Sequence, residues 1–446
     1  MSNRKIDLNV IIPMAGLGSR FTSYGFSENK YLLPINDNLN KMIEKAILTL
    51  KINIQNTHFI FIIREENEID YHLRSYLNLI CKNNNYSCDI LNVNKLTEGP
   101  ASSVYIAKNI INNDIPLIVS NSDQILDWDF DKFYSECNKY DGCVLTYKPN
   151  YNLILGEKDK HSFVRFENSK PVEFVEKKVI SEEALVGVHY YKKGKYFIDA
   201  YEYLFKNNIR APNNEFYLSY TYQALLDLGN FSIGTSMLND KIEHFYPVGE
   251  PEDYFNYYNS YSKIIIHKLF DFELINNKID KDLFKIDYIK KEDILNTNNE
   301  LIIKLNNDND LNSIFLTGEN NVFNFNEDTY ILRVFNINKL LNCINISDYL
   351  RGWIIGNFEP SIKKETRFEI GVLTHLKMEK WPFHYHKESI EINILIKGKM
   401  IINNIKINKG DIFIFNKKVI ACPLFLEDCK IICIKIPSVP GDKYII

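Results

Sequence analysis

Between Ile11 and Pro34 the chain reads IIPMAGLGSRFTSYGFSENKYLLP, an apolar run that breaks at Gly16 and Gly18 and is followed by Arg20 and then Lys30. Glycine lets backbone N–H groups close on an anion. Arg20 adds a planar fork that matches two phosphate oxygens, and Lys30 adds a point charge. These residue types in this order point to phosphate binding; the plainer alternative is a strand-to-helix turn with solvated basic side chains. Two common phosphate cradles do not fit. A dinucleotide fold asks for GxGxxG or GxGxxA, and here Phe21 stands at the third small position; a P-loop asks for Gly-Lys-Ser or Gly-Lys-Thr, and neither occurs.

Two further groups of residues could do chemistry. In IVSNSDQILDWD, an apolar strand ending at Asp123 would set a carboxylate at a sheet edge, where hard oxygen ligands can take Mg²⁺. Ser122 and Asp123 could also simply cap a turn. In HYHKESIEINILIKG, His384 and His386 would share one face of a strand. With Glu391 they could form a facial triad for a divalent transition metal, or sit as hydrogen-bonded interior groups.

The elements that must position these groups follow from the apolar runs. LNVIIPM, HFIFII, DILNV and IPLIVSNSD read as strands alternating with helical stretches such as LNKMIEKAILTL, YHLRSYLNLI and ASSVYIAKNII. That alternation predicts an α/β unit with a mostly parallel sheet and helices on both faces, its ligands outside the carboxyl ends of the strands. After about residue 142 the period shortens to hairpin-like GCVLTY, SFVRFEN and VEFVEKK. A helix is expected near Tyr254 to Phe270. Residues 256–350, rich in Asn, Asp and Lys, read as a helical or irregular connection. From about Trp353 the strands are short and closely spaced, as in a small β-barrel.

Bulk properties narrow the classes. A chain of 446 residues predicts two or three domains, here 1–255, 256–350 and 351–446. A net charge of −4 gives no support to a nucleic-acid surface. No apolar stretch approaches the roughly 18 to 20 residues of a membrane span. The opening MSNRKIDLNV lacks the apolar core of a signal peptide. The eight cysteines form no CxxC pair and read as free thiols, so a cytoplasmic location is expected.

Taken in order, PMAGLGSRF, ENKYLLPI, TEGPASSV, NSDQ and EFVEKK resemble the motifs of nucleoside-triphosphate:sugar-phosphate nucleotidyltransferases, nearest to members from bacterial capsule and lipopolysaccharide clusters. The resemblance covers roughly residues 7 to 255 and implies a Rossmann-like, mostly parallel mixed sheet. It also implies that an NMP group passes from a nucleoside triphosphate to a sugar phosphate or small alcohol phosphate, with pyrophosphate released and Mg²⁺ on Asp123, in surface-polysaccharide precursor synthesis. By the same resemblance Arg20, Lys30, Asp123 and Lys177 carry the reaction. Ala15, Gly16, Leu17, Gly18, Thr97, Gly99 and Ser122 hold the nucleotide; Glu176, Gly187 and Glu215 hold the acceptor. Without the resemblance, TEGPASSV is a helix start with Thr97 as N-cap and Pro100 near the first turn.

There are departures. Asn29 and Lys178 stand where the family has proline. Pro247 stands where many members have a second metal-binding aspartate, leaving Asp127, Asp129 or Glu250 as substitutes. Residues 353–446 resemble cupins, which implies a jelly-roll barrel and association into a homo-oligomer. The cupin spacing HxH, Glu, Gly is met by His384, His386, Glu391 and Gly398, but Ala421 occupies the position of a further histidine ligand. A three-ligand metal site, a metal-free sugar-binding or dimerisation barrel, and an isomerase or epimerase remain open for it. For the whole chain, the alternatives to a nucleotidyltransferase are a non-catalytic nucleotide- or sugar-binding regulator and a bifunctional guanylyltransferase/isomerase.

Overall fold

The computed structural model describes residues 5–36, 39–149, 161–261, 264–276, 280–297, 300–305, 314–317, 321–323, 325, 327–337, 346–379 and 381–446. They fall into two compact units. The first runs to Tyr254, apart from residues 25–27 and 36–39, which group with the second, Phe255–Ile446.

The first unit is built on β1 (Leu8–Met14), β2 (Thr57–Arg64), β3 (Ser87–Val93) and β4 (Leu117–Ser120), with β1 parallel to both β2 and β4, and β2 parallel to β3. The short strand β5 (Gln124–Asp127) follows. The run continues with β6 (Gly142–Tyr147), β7 (Ser162–Glu167), β8 (Lys170–Glu176), β9 (Ala184–Tyr191), β10 (Ile233–Met237) and β11 (His244–Pro247). The main sheet has the order β10-β6-β9-β4-β1-β2-β3, with β9 antiparallel to β4 and β6. The sheet is therefore mixed, with its parallel half where the strand–helix alternation is clearest.

Alternation along β1 explains the layers. Leu8, Val10, Ile12 and Met14 face one core with Ile43, Ile47, Leu73 and Leu77 of the helices Met42–Thr49 and Leu73–Asn83. Ile11 faces the other core, with Ala101 and Val104 of the helix Pro100–Tyr105 and Phe197, Tyr201 and Leu204 of Gly194–Lys206. Each such side chain contributes roughly 1.5–3 kcal/mol on burial, so the two layers hold the sheet edge rigidly.

The second unit is all-β apart from short helical turns and the end of the helix Pro251–Tyr261. Its seven-stranded sheet runs, in order, Ile265–Lys268, Asp411–Phe415, Ile390–Lys397, Cys429–Ile436, Glu369–His375, Trp353–Gly356 and Lys363–Lys364. The two faces differ. Ile392, Ile394, Ile412, Ile414, Ile432 and Ile434 pack with Phe284, Ile286, Leu301, Ile303, Leu332 and Val334. Leu395, Phe413, Phe415 and Ile431 turn the other way, toward Met400, Ile407 and Phe425 of a three-stranded sheet.

The stretch expected as a helical or irregular connection thus contains a four-stranded sheet, Phe284–Ile289, Thr329–Val334, Leu301–Lys304 and Ile314–Leu316, and a separate strand pair. The helix expected up to Phe270 ends at Tyr261 and is replaced by the strand Ile265–Lys268. Parts of the Asn-rich segment, 298–299 and 306–313, lie outside the described residues. The described cysteines are free, and no helix among the described residues is long and apolar enough to cross a membrane.

Candidate active site

β1 and β4 are parallel neighbours, so the loops that leave their carboxyl ends emerge side by side. The first carries Gly16 and Gly18, the second Ser122 and Asp123. Between them lies Lys30, whose Nζ donates to Asp123 Oδ2 at 2.7 Å. Burial works against the Lys30 charge, but the Asp123 carboxylate outweighs it and the ammonium is held up to about 12. Burial likewise raises Asp123, and Lys30 brings it below its ordinary value. The pair is therefore fully ionised at neutral pH.

Gly18 sits at φ +66, and a Cβ there would lie 3.8 Å from Lys30 Cγ. The loop and the lysine thus belong to one site although they are apart in sequence. Tyr31, buried beside Lys30, turns its hydroxyl to Ser122 and the Gly16 backbone, which joins the two loops. Asn29 accounts for the missing proline. Its Oδ1 accepts from Tyr31 N at 3.0 Å and caps the turn Lys30–Leu32, while Nδ2 donates to Asn67.

A third wall comes from β11, antiparallel to β5. Pro247 lies opposite Gln124, Val248 N donates to the Asp123 carbonyl at 3.0 Å, and a Cβ on Gly249 would come within 2.9 Å of Asp123 Oδ2. The next residue, Glu250, pairs with the exposed Arg20 at 3.0 Å. The other two candidate carboxylates are engaged elsewhere: Asp127 with Lys51, and Asp129 as the N-cap of the helix Phe130–Cys137. Ala15 is buried in the core and Leu17 points outward at 59 % exposure, so both can serve an anion only through their backbone.

The remaining residues form a second group. Gly187 backs the Asp123 loop: its carbonyl accepts from Asn121 N and Gln124 Nε2, both at 2.8 Å, and a Cβ would strike Asn121. Glu176 is buried, accepting from Ser162 and, at 2.8 Å, from Ser219. Burial pushes its carboxyl up, the serine hydroxyls opposing. Lys177 takes φ +58 and places Nζ 5.1 Å from the centre of the Tyr217 ring, beside Glu215. Gly99 meets this group through the backbone, since Phe216 N donates to the Glu98 carbonyl at 2.7 Å and a Cβ on Gly99 would lie 2.6 Å from Phe216 O. The close approach that requires glycine here is thus made by Phe216. Thr97 is not the N-cap; Gly99 is, and the Thr97 hydroxyl instead meets that of Ser103 at 2.6 Å.

Tyr31, Asn121, Tyr217 and Gly249 were not singled out by sequence. Tyr31 and Asn121 adjoin motif residues, which was the available signal; Gly249 is legible only once β11 is paired with β5.

In the second unit His384, His386 and Glu391 line one cavity of about 1050 Å³. The spacing brings the three side chains together, and in this structure they meet as hydrogen-bonded groups. His386 Nδ1 faces the Asp442 carbonyl and Nε2 faces Glu391 at 3.2 Å. Glu391 also accepts from Asn393 at 2.8 Å. Among the described residues no group of three His, Cys, Asp or Glu is arranged to hold a metal ion.

The first unit is thus an α/β unit with a parallel-rich mixed sheet and a charged, glycine-lined cluster at the carboxyl ends of its strands. No family model matches the sequence, and no curated protein matches it. Solved structures with similarity to the chain include a nucleoside-diphosphate-sugar pyrophosphorylase from Vibrio cholerae RC9, at 21% identity over 56% of this chain and 98% of that one, TM-score 0.46. The inositol-1-phosphate CTP transferase from T. maritima is similar at 14% identity, 56% and 91% coverage and TM-score 0.43. A UDP-glucose pyrophosphorylase from Acinetobacter baumannii is similar at 15% identity, 58% and 94% coverage and TM-score 0.42.

Proposed function

We propose that the first unit is a nucleotidyltransferase that moves a nucleoside monophosphate from a triphosphate onto the phosphate of a sugar or small alcohol, supplying precursors for surface polysaccharide. The observation that carries this reading is the Lys30–Asp123 pair set beneath the glycine loop at the carboxyl edge of the sheet.

An acceptor phosphate is already an anionic nucleophile. Its oxygen forms a bond to the α-phosphorus, the bond to the bridging oxygen of the β-phosphate breaks, and pyrophosphate leaves, so no general base is needed. The protein must align two mutually repelling anions and neutralise charge as it spreads over the phosphoryl oxygens. Lys30, held cationic, meets that need, and the N–H groups of residues 15–18 can turn to the triphosphate. Arg20, in an exposed pair with Glu250, is available to exchange that partner for phosphate. Lys177, beside Tyr217 and Glu215, serves the acceptor.

Asp123 suits Mg²⁺, which binds through one or two carboxylates with phosphate and water completing its shell, and which would supply further charge neutralisation. Pro247 at the second position limits the protein's share to Asp123, with Glu250 the nearest other acid along β11's exit. The all-β unit we read as a cupin-type barrel, supported by the HxH pair and Glu391 facing one cavity.

The test is pyrophosphate release from four triphosphates crossed with sugar 1-phosphates and small alcohol phosphates, with Mg²⁺. Turnover by the native chain and loss of about 100-fold or more in Lys30→Met and Asp123→Ala is expected. No turnover above the Asp123→Ala level in any combination would refute the reading.

A further inference from the structure

The cavity of the second unit, once a metal is set aside, still has the marks of a ligand site. Its wall carries the cations Arg351, Lys435 and Lys443 and the carboxylates Glu379 and Glu391. Lys435 is paired with Glu369 at 3.2 Å. Lys443 and Arg351 have no ion-pair partner among the described residues, yet both address the same indole: Lys443 Nζ lies 4.0 Å and Arg351 Cζ 5.8 Å from the Trp381 ring centre. Arg351 and Lys443 repel each other, and Glu391, which acts on Lys443 with the opposite sign, offsets this only in part; an anion between the two cations relieves the rest.

Lys443 is also held in place. The preceding residue, Asp442, is buried and its carboxylate accepts from the backbone N–H groups of Lys387, Glu388 and Ser389. The following residue, Tyr444, is paired in a strand with Tyr385 and stacks on it. A lysine pinned at both neighbours loses less freedom on binding than one on a loose surface.

The rest of the wall suits hydroxyl groups. His384 is buried and neutral, since burial brings it down to about 4, and its Nδ1 faces the Pro382 carbonyl at 3.0 Å. Its Nε2 therefore remains an acceptor without a hydrogen-bond partner among the described residues. Thr374 and Asn393 add further polar groups, and Trp353 and Trp381 add flat apolar surface. The volume is ample for one ring-sized ligand and its substituents.

We propose that this cavity is a second ligand site, separate from the nucleotidyl site, that takes a hydroxylated sugar ring bearing one anionic group, with the anion between Lys443 and Arg351. The anion could be a phosphate ester or a carboxylate, and the experiment distinguishes them.

The chain has three tryptophans, of which Trp353 and Trp381 line the cavity and Trp128 is buried in the first unit. In the full-length Trp128→Phe chain, indole fluorescence therefore reports on the cavity. Titration uses a hexose 6-phosphate, a hexuronate, the uncharged hexose and inorganic phosphate, each also in a Lys30→Met background that weakens the first site. Saturable change with the phosphate ester or the hexuronate, unaffected by Lys30→Met and weakened about tenfold or more by Lys443→Met, is expected, with Lys443→Arg restoring most of the affinity. The uncharged hexose and inorganic phosphate should bind at least about tenfold more weakly than the better anionic sugar. Equal binding of the uncharged hexose, or Lys443→Met and Lys443→Arg both matching the parent, would overturn the proposal. So would silence of both anionic sugars, whatever the pyrophosphate assay shows.

Discussion

Burial acts in opposite directions on an acid and a base, as Glu176 and Lys443 show. Burial raises the Glu176 carboxyl, so the folded state binds its proton more tightly than the unfolded state does. Its contribution to stability is complete below the unfolded value and declines as pH rises through the folded one. Glu176→Gln keeps acceptors for Ser162 and Ser219 and removes that decline. It should equal or exceed the parent by on the order of 1 kcal/mol near pH 7 and lose the advantage near pH 4, as measured by urea unfolding at the two values. Lys443 is pushed down to about 8, by burial first and then by Lys435 and Arg351, with Glu391 and Cys433 opposing. Anion binding in the cavity should therefore weaken as pH rises from about 7 to 9, while Lys443→Arg, charged throughout, should not follow that slope in the fluorescence titration. His384, already neutral at pH 7, does not contribute to the change.

Among the elements, the contact between the Glu98–Ala101 turn and residues 215–217, which lead into the helix Leu218–Leu228, is tightly constrained. Gly99 sits at φ +119 with Phe216 backbone atoms within 3 Å of any added Cβ. Gly99→Ala should cost about 1–3 kcal/mol and lower acceptor and nucleotide affinity together, read from thermal unfolding and from KM for both substrates. The first unit was legible where local signals agree. The apolar runs of β1, β2 and β4 and the helices between them were readable because periodicity and breakers coincide. The glycine loop, Lys30 and Asp123 were readable because they end or follow those runs. Other features depend on pairing that no local pattern contains. FKIDYI and LIIK are short strands set among Asn and Lys, and their apolar faces become meaningful only against Ile392 and Ile412. The HxH spacing placed three side chains in one cavity, but spacing could not show that Asp442, more than fifty residues on, faces His386 Nδ1.

At the scale of the whole chain, the seven-stranded sheet of the second unit carries two obligations, one on each face. A chain cut at the boundary read from sequence, beginning at residue 351, would keep most of the cavity face, without Ile346, Ser347 and Tyr349, and lose both Phe284–Ile289 with its partner strands and the strand Ile265–Lys268. It should form aggregates on size-exclusion chromatography and bind a hydrophobic dye, whereas a chain beginning at residue 264 should not. The reason concerns heredity as much as solubility. Because the second unit's own cover is encoded before its cavity, in the stretch that looks like a linker, lengthening or swapping that stretch as if it were a tether would strip the sheet rather than loosen it.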